Sequence, residues 1–209
     1  MVIAFLNQKG GTGKTTLSIN VAHGLVLKGN RVLLVDADPQ GSARDWAAAR
    51  DAEPLFPVIG LDRPVLHKDV PVLAKDYDFV VIDGPPRVYD LARSAIMASD
   101  LIIVPVQPSP YDVWAAEEII TLTSQASTFK EKLKIVFAIN RKISNTVIGR
   151  DVRKALDEYE IQTLEPAITQ RVVFAETAAA GSTVLESEPQ GRAASEVRGL
   201  VEAILEVIS

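Results

Sequence analysis

An apolar run that opens directly into a glycine-rich loop constrains the fold of this chain more than any other feature. Residues 2–6 read Val-Ile-Ala-Phe-Leu, and residues 9–16 read Lys-Gly-Gly-Thr-Gly-Lys-Thr-Thr. The stretch Thr15–Leu27 is predicted to be a helix with apolar residues at positions 17, 19, 21 and 25. A strand, a glycine loop and a helix in this order aim backbone N–H groups and the positive helix end at one anion. The sequence therefore predicts a phosphate site.

The residue types in this loop suit a nucleoside triphosphate with magnesium. Lys14 is expected to reach the β- and γ-phosphates, and the Thr15 hydroxyl is expected to ligate Mg²⁺. A dinucleotide G-x-G-x-x-G motif does not fit, because Thr16 stands where the third glycine belongs. The expected ATP-binding residues of the loop are Lys9, Gly10, Gly11, Thr12, Gly13, Lys14, Thr15 and Thr16.

Apolar, β-branched runs alternate with helix-like stretches along the chain. Strands are predicted at Val2–Leu6, Val32–Val35, Phe79–Ile82, Leu101–Val106 and Ile135–Ile139. Helices are predicted at about Thr15–Leu27, Ser42–Ala49, Val88–Ala98, Trp114–Ser127, Ile148–Tyr159 and Arg192–Ile208. This alternation predicts an α/β fold, a doubly wound and mostly parallel sheet with helices on both faces. Residues 1–209 are expected to form a single domain.

Aspartates follow two of the predicted strands. Asp36 and Asp38 come after Val32–Val35, and Asp83 comes after Phe79–Ile82. We expect them outside the core, because an unpaired buried charge is costly. Asp83 and Asp38 suit residues that hold Mg²⁺ through water, and Asp38 also suits one that positions the attacking water. Asp36 is expected to be a structural hydrogen-bond acceptor.

Composition excludes several classes of protein. The chain has no cysteine, which rules out disulfides, thiolate zinc sites and cysteine-ligated iron–sulfur clusters. Its apolar runs reach about seven residues, far below the roughly 20 that span a bilayer. No signal peptide is expected, because the phosphate loop follows the first short run at once. A cytoplasmic protein is the expectation.

The motifs resemble those of one ATPase superfamily. The K-G-G-T-G-K-T-T loop, D-A-D-P-Q at 36–40 and D-G-P-P at 83–86 look like the deviant Walker A P-loop and companion motifs of the ParA/MinD superfamily. The resemblance implies ATP and Mg²⁺ as cofactors and an ATP-dependent homodimer, with Lys9 reaching phosphates on the other subunit. It implies Lys9, Lys14 and Asp38 as catalytic residues. It also implies slow hydrolysis, stimulated by a centromere-binding or cargo-adaptor protein.

The resemblance extends into the C-terminal half. Asn140-Arg141 after a strand resembles the adenine-side element of the family, although an asparagine there is often only a turn former. Residues 167–171, followed by Glu176, Gly181 and Glu186, are similar to small partition ATPases of the ParF type. Since the chain starts at the P-loop, no N-terminal helix-turn-helix domain is expected.

Local charge suggests a DNA surface on a chain whose net charge is −5. Residues 128–154 carry eight basic and two acidic residues, which favours either a solvated face or a patch for DNA phosphates bound without sequence preference. The candidate DNA-binding residues are Lys142, Arg150, Arg153, Lys154, Arg171 and Arg192.

The predicted function is nucleoid-associated segregation of plasmid or chromosomal DNA. The alternative is positioning of a protein cargo such as carboxysomes or chemoreceptors. MinD-like membrane binding is disfavoured, because residues 193–209 hold one basic and three acidic residues. A metabolic P-loop ligase resembling dethiobiotin synthetase is also weighed, with Lys9 and the D-P-Q string against it.

Overall fold

The computed structural model describes residues 1–86, 89–143 and 148–209, without the side chains of residues 89 and 148–151. The strands in this part of the chain are β1 Val2–Phe5, β2 Val32–Asp36, β3 Val58–Gly60, β4 Phe79–Asp83, β5 Leu101–Val106, β6 Lys134–Ile139 and β7 Thr163–Leu164. The helices are α1 Lys14–Leu27, α2 Ser42–Ala48, α3 Leu66–Leu73, α4 Tyr89–Ala98, α5 Pro110–Ser127, α6 Ile148–Asp157, α7 Val173–Ala179, α8 Val184–Ser187 and α9 Arg192–Ile208.

All seven strands form one parallel sheet in the order β3-β2-β4-β1-β5-β6-β7. The ends of its central strands are level, because Asp83 pairs in register with Phe5 on one side and with Asp36 on the other. Parallel strands present their carboxyl ends at one edge, where open α/β sheets bind their ligands. The sheet therefore brings the glycine loop and both acidic motifs to the same place.

A hydrophobic core lies on each face of the sheet, as the β-α alternation predicts. Odd residues of β1, Ile3 and Phe5, pack with α1, α2, α8 and α9. Even residues, Val2 and Ala4, pack with α3, α4, α5 and α6. The apolar side of α9 lies in the first of these cores, so the chain itself covers it. None of the helices in the described residues combines the length and the apolar character of a transmembrane span.

The α/β doubly wound prediction is confirmed, and the five predicted strands lie within one residue of the observed ones. Two short strands were missed. β3 lies at the sheet edge and is not buried, and β7 has only two residues, so neither leaves an apolar run. Helices α3, α7 and α8 were also missed, and α5 begins at Pro110 rather than Trp114. Val88, the predicted start of α4, lies outside the described residues.

The expectation that the strand-end aspartates avoid the core is wrong for two of them. Asp36 and Asp83 are the last residues of their strands and have no exposed surface. The two buried carboxylates differ in their hydrogen-bond partners, and this difference identifies the site.

Candidate nucleotide site

The loop between β1 and α1 has the geometry of a phosphate cradle. Gly13 lies immediately before α1 at a φ of 92°, and a Cβ there would stand 2.0 Å from Nδ2 of Asn140. Only glycine fits both restrictions. A Cβ on Gly10 or Gly11 would meet no heavy atom within 4 Å, so the loop faces open space. The free N–H groups of the first turn of α1 begin here.

A cavity of about 390 Å³ lies over this loop and is bounded by the predicted residues. Its lining includes Gly10, Gly11, Gly13, Lys14, Thr15, Thr16, Asp38, Trp46, Arg141 and Phe174. The structure thus brings together loop glycines, a lysine, a hydroxyl and a carboxylate, the set that a magnesium–triphosphate group requires.

Lys14 is a buried cation at the start of α1. Burial lowers its pKa, and the nearby carboxylates of Asp83 and Asp38 act in the opposite direction. Its Nζ donates a hydrogen bond to the carbonyl of Lys9 at 3.4 Å. A lysine whose positive charge is opposed by burial gains from an added anion, so its surroundings favour phosphate binding.

Asp83 is a fully buried carboxyl with a strongly raised pKa. Burial raises its pKa to about 7, while Thr15 and Lys14 oppose the shift and Asp36 adds to it. The Thr15 hydroxyl is close enough to influence that pKa, yet neither carboxylate oxygen makes a hydrogen bond of normal geometry within the described residues. A buried carboxylate without partners, next to a threonine hydroxyl, has the chemistry of a divalent-cation site. The residues therefore fit Mg²⁺, which Thr15 and Asp83 would hold.

Asp36 is the opposite case, because its buried carboxylate is fully engaged. Its Oδ1 accepts the backbone N–H of Asp38 at 3.1 Å, and its Oδ2 accepts the backbone N–H of Arg44 at 3.0 Å. Asp36 thus fixes the turn that carries Asp38, the structural role expected for it. Asp38 lies at the cavity rim, where its own Oδ1 accepts the N–H of Gln40 at 2.9 Å.

Lys9 contacts its own chain. Its Nζ donates to Oδ2 of Asp112 at 2.5 Å, and the Asp112 side chain is only 2% exposed. The Lys9 side chain itself is 37% exposed, so it stands at the surface beside the loop. Its role toward phosphates on another subunit stays a prediction.

Asn140 and Arg141 flank a second and larger cavity, of about 930 Å³, that shares Thr16 and Phe174 with the first. Asn140 donates its Nδ2 to the carbonyl of Thr12 at 2.8 Å, so it holds the glycine loop in place. Arg141 is exposed and has a φ of 52°, a left-handed conformation that an arginine rarely adopts. Their contact with adenine stays a prediction, and the position of this cavity beside the phosphate cradle suits a purine.

The basic residues of the segment 128–154 that the structure describes do not all lie on one surface. Lys134 begins β6 and Lys142 follows its end, so the two lie at opposite ends of this strand, about 20 Å apart at the rise of a strand. Lys130 and Lys134 donate to carbonyls near the ends of helices, at Met97, Ser99 and Val207.

Two of the named candidates are paired with acids. Arg153 contacts Glu165 at 2.6 Å, and Arg171 contacts Glu196 at 2.8 Å. Lys154 and Arg192 are exposed and Lys142 is half-buried, whereas the side chain of Arg150 lies outside the described residues. DNA contacts by these six residues stay predictions.

Sequence reasoning missed three residues that shape the loop. Asp112 holds Lys9, Gln107 donates its Nε2 to the carbonyl of Gly11 at 2.7 Å, and Asn7 accepts the N–H of Lys9 at 3.0 Å. A signal for Asp112 was present: Ser-Pro-Tyr-Asp at 109–112 is a helix start with proline in the first turn and an acid after it.

Comparison with known proteins gives a family and two kinds of relative. The family model described as CobQ/CobB/MinD/ParA nucleotide binding domain matches residues 3–184. Maintenance of carboxysome distribution protein A of Halothiobacillus neapolitanus is 31% identical over 208 residues, covering 97% of this chain and 95% of the relative. The chromosome-partitioning ATPase Soj of Thermus thermophilus is 28% identical over 235 residues, covering 97% and 94%.

Among solved structures, cobyrinic acid a,c-diamide synthase of Mycobacterium smegmatis, with an ATP analogue and magnesium bound, superposes with a TM-score of 0.82 at 24% identity. The match covers 100% of this chain and 95% of that one. At this identity the likeness shows the shared fold, and the expected cofactors, ATP and Mg²⁺, are of the kind that structure holds. The family match over most of the chain, joined to the cradle around Lys14 and Asp83, makes this protein a member of the CobQ/CobB/MinD/ParA nucleotide-binding family, of the ParA/MinD type.

Proposed function

We propose that this protein is an ATPase of the ParA/MinD type that dimerises on ATP and positions a large cargo on nucleoid DNA. The observation that carries the proposal is the meeting of Lys14, Thr15 and the unpartnered carboxylate of Asp83 below the glycine loop. Lys14 supplies a positive charge, and Thr15 and Asp83 supply two cation-binding groups, where the β- and γ-phosphates would lie. Mg²⁺ bound there neutralises phosphate charge during transfer.

The chain's own residues divide the work of hydrolysis. Backbone N–H groups of the loop and Lys14 bind and orient the phosphates, and Thr15 and Asp83 hold the cation. Asp38, fixed by Asp36 and Gln40, stands at the rim to orient the attacking water. No strong general base is needed, because phosphoryl transfer depends mainly on positioning and electrostatics.

The favoured cargo is a protein assembly of the carboxysome kind, because the relative that shares 31% identity across nearly the whole chain is named for carboxysome distribution. Segregation of DNA is the second candidate, supported by Soj at 28% identity over a similar span. Both candidates need an adaptor or centromere-binding partner that stimulates hydrolysis. The ligase reading is not favoured, since the likeness to a diamide synthase rests on fold alone.

The function is tested with the purified chain on surfaces coated with non-specific DNA. We expect retention with ATP and Mg²⁺, release with ADP, and a steep fall in retention between about 50 and 200 mM salt. Hydrolysis measured in the same samples should be slow. If the chain binds ATP but is never retained on DNA at low salt, positioning on the nucleoid is wrong.

The cargo is tested in the native cell by removing the gene. Clustering of a protein assembly, with unchanged inheritance of plasmids and chromosome, would support the favoured cargo. Loss of a replicon with evenly distributed assemblies would support DNA segregation instead.

A further inference from the structure

We propose that Asp112 is a positioning residue that holds Lys9 against its own chain and thereby limits ATP-dependent dimerisation. The inference rests on the proposed function, in which Lys9 acts on phosphates of the other subunit. A lysine whose Nζ lies 2.5 Å from Asp112 of its own chain cannot reach across an interface at the same time. Dimerisation therefore requires this ion pair to open in each subunit.

The surroundings of Asp112 make the ion pair strong. The carboxylate is nearly buried, and its other oxygen, Oδ1, has no hydrogen-bond partner in the part of the chain that the structure describes. In the described part of the chain, Lys9 Nζ forms the ion pair with this carboxylate, so moving the lysine away leaves a buried negative charge without its cation. Removing one partner of such a pair is costly, which is why Lys9 is held firmly.

The start of α5 makes the same pair reversible. Asp112 is the third residue of the helix, where the helix N-terminus favours a negative charge. Its backbone N–H donates to the carbonyl of Ser109 at 3.0 Å, so the turn keeps its shape independently of Lys9. The carboxylate therefore retains some stabilisation when the lysine leaves.

Lys9 is also connected to the nucleotide cradle through its main chain. Its carbonyl accepts Nζ of Lys14 at 3.4 Å, and its N–H donates to Asn7. When Lys14 turns toward a phosphate, it gives up this contact with Lys9. Because this contact is with the main chain of Lys9, its loss leaves the ion pair between the Lys9 side chain and Asp112 in place, so nucleotide binding and release of Lys9 are separate steps.

The first test measures dimerisation with a non-hydrolysable ATP analogue and Mg²⁺ by sedimentation. We expect Asp112→Ala to lower the concentration for half-dimerisation by about tenfold to a hundredfold, the range for losing a charged hydrogen bond. Asp112→Asn, which keeps the size and loses the charge, should lie between it and the parent. Affinity of the monomer for the analogue should not change.

Three controls make the result specific. Glu117→Ala removes an exposed acid from the same helix and should dimerise like the parent. The Lys9→Ala/Asp112→Ala double variant should lose the gain, because the gain acts through Lys9. Melting temperatures should show that both Asp112 variants fold.

A second test does not depend on dimerisation. Lysines are acetylated in the chain without nucleotide, and the products are measured by peptide mass spectrometry. Lys9 should react several-fold faster in Asp112→Ala than in the parent, because its charged hydrogen bond to Asp112 is lost. Lys132, exposed elsewhere, is the internal reference. Unchanged acetylation of Lys9, or a folded Asp112→Ala that dimerises no better than a dimerising parent, overturns the proposal. A parent that binds the analogue but stays monomeric overturns the proposed function instead, while acetylation still decides the ion pair.

Discussion

Two regions concentrate charge in the sequence: the carboxyl edge of the sheet with the glycine loop, Lys14 and Asp83 (the loop edge), and the basic segment 128–154. In the folded protein, the charged groups of the two regions differ in whether they have partners. At the loop edge, neither carboxylate oxygen of Asp83 has a hydrogen bond of normal geometry from the described residues, and Lys14 is buried with only a weak contact to a carbonyl. In the segment 128–154, Lys130, Lys134 and Arg153 each contact an acceptor of the chain.

An unsatisfied buried polar group in a folded protein calls for an explanation, and beside a phosphate loop that explanation is a bound ion or ligand. Satisfied ones point to structure. The loop edge therefore has a strong claim to be a binding site on physical grounds. The basic segment has a weaker claim, since charge counted along a sequence is larger than charge available at a surface.

The largest effect is expected from replacing Lys14 at the loop edge. Lys14→Ala should weaken ATP binding about a hundredfold, because a charged hydrogen bond to phosphate disappears from a buried position. Lys132→Ala is the matched control in the basic segment and should bind ATP like the parent. Calorimetric titration with the ATP analogue checks both. Equal affinities of the two variants would remove the distinction between the regions.

The second largest effect is expected from replacing Asp83, because an unpaired buried carboxylate at a binding site lowers the stability of the folded protein. Asp83→Asn should raise the free energy of unfolding in metal-free buffer at neutral pH by roughly 1–3 kcal/mol, the cost of an unpaired buried group. The same change should weaken Mg²⁺-dependent nucleotide binding. Asp36→Asn, at the neighbouring strand end, should destabilise, since its oxygens accept two backbone N–H groups.

The advantage of Asp83→Asn should depend on pH in a defined direction. Burial raises the pKa of Asp83 from 3.8 to about 7, so the folded parent binds more protons than the unfolded chain between those values. The parent therefore loses stability as pH rises from about 4 to 7, and the variant's advantage grows over that window and then levels off. Urea unfolding across this range measures it. A pH-independent difference would contradict the raised pKa.

The sequence predicted features that follow from a local residue pattern, and it missed features that depend on contacts between distant parts of the chain. The glycines, Lys14 and the strand-end aspartates were predicted, because a glycine loop after an apolar run has few alternatives. The burial of Asp83 was predicted wrongly, since its last-in-strand position emerges only from the register with β1 and β2. Asp112 was missed because it lies 103 residues from Lys9 in the chain.

A smaller effect is expected from charge reversal in the basic segment. Replacing Arg150, Arg153 and Lys154 with Glu should lower ATP-dependent retention on DNA by about tenfold and leave ATP affinity unchanged. The charge-matched control reverses Arg63, Lys68 and Lys75, exposed basic residues outside the segment 128–154. If both triple variants retain DNA equally, the contacts lie elsewhere, with Arg171 and Arg192 next to be changed.

The smallest effect concerns the ion pair between Arg50 and Glu186, which belongs to neither region. Hydrogen bonding to Arg50 lowers the pKa of Glu186 from 4.5 to about 2, against some opposing desolvation. A lowered pKa contributes stability above pH 4.5 that is lost as pH falls through about 2. Glu186→Gln should cost up to about 1 kcal/mol at pH 7, because the pair is partly exposed. That cost should vanish toward pH 2 in urea unfolding, and a cost that persists there would contradict the assignment.

Sedimentation velocity on the parent and on Lys9→Ala tests the central claim most directly, that the loop edge binds ATP and Mg²⁺ and drives self-association through Lys9. With the ATP analogue and Mg²⁺, the parent should sediment as a dimer, and with ADP as a monomer. Lys9→Ala should bind the analogue with nearly parental affinity and remain monomeric. A parent that stays monomeric with the analogue bound, or a Lys9→Ala variant that dimerises like the parent, would contradict the account.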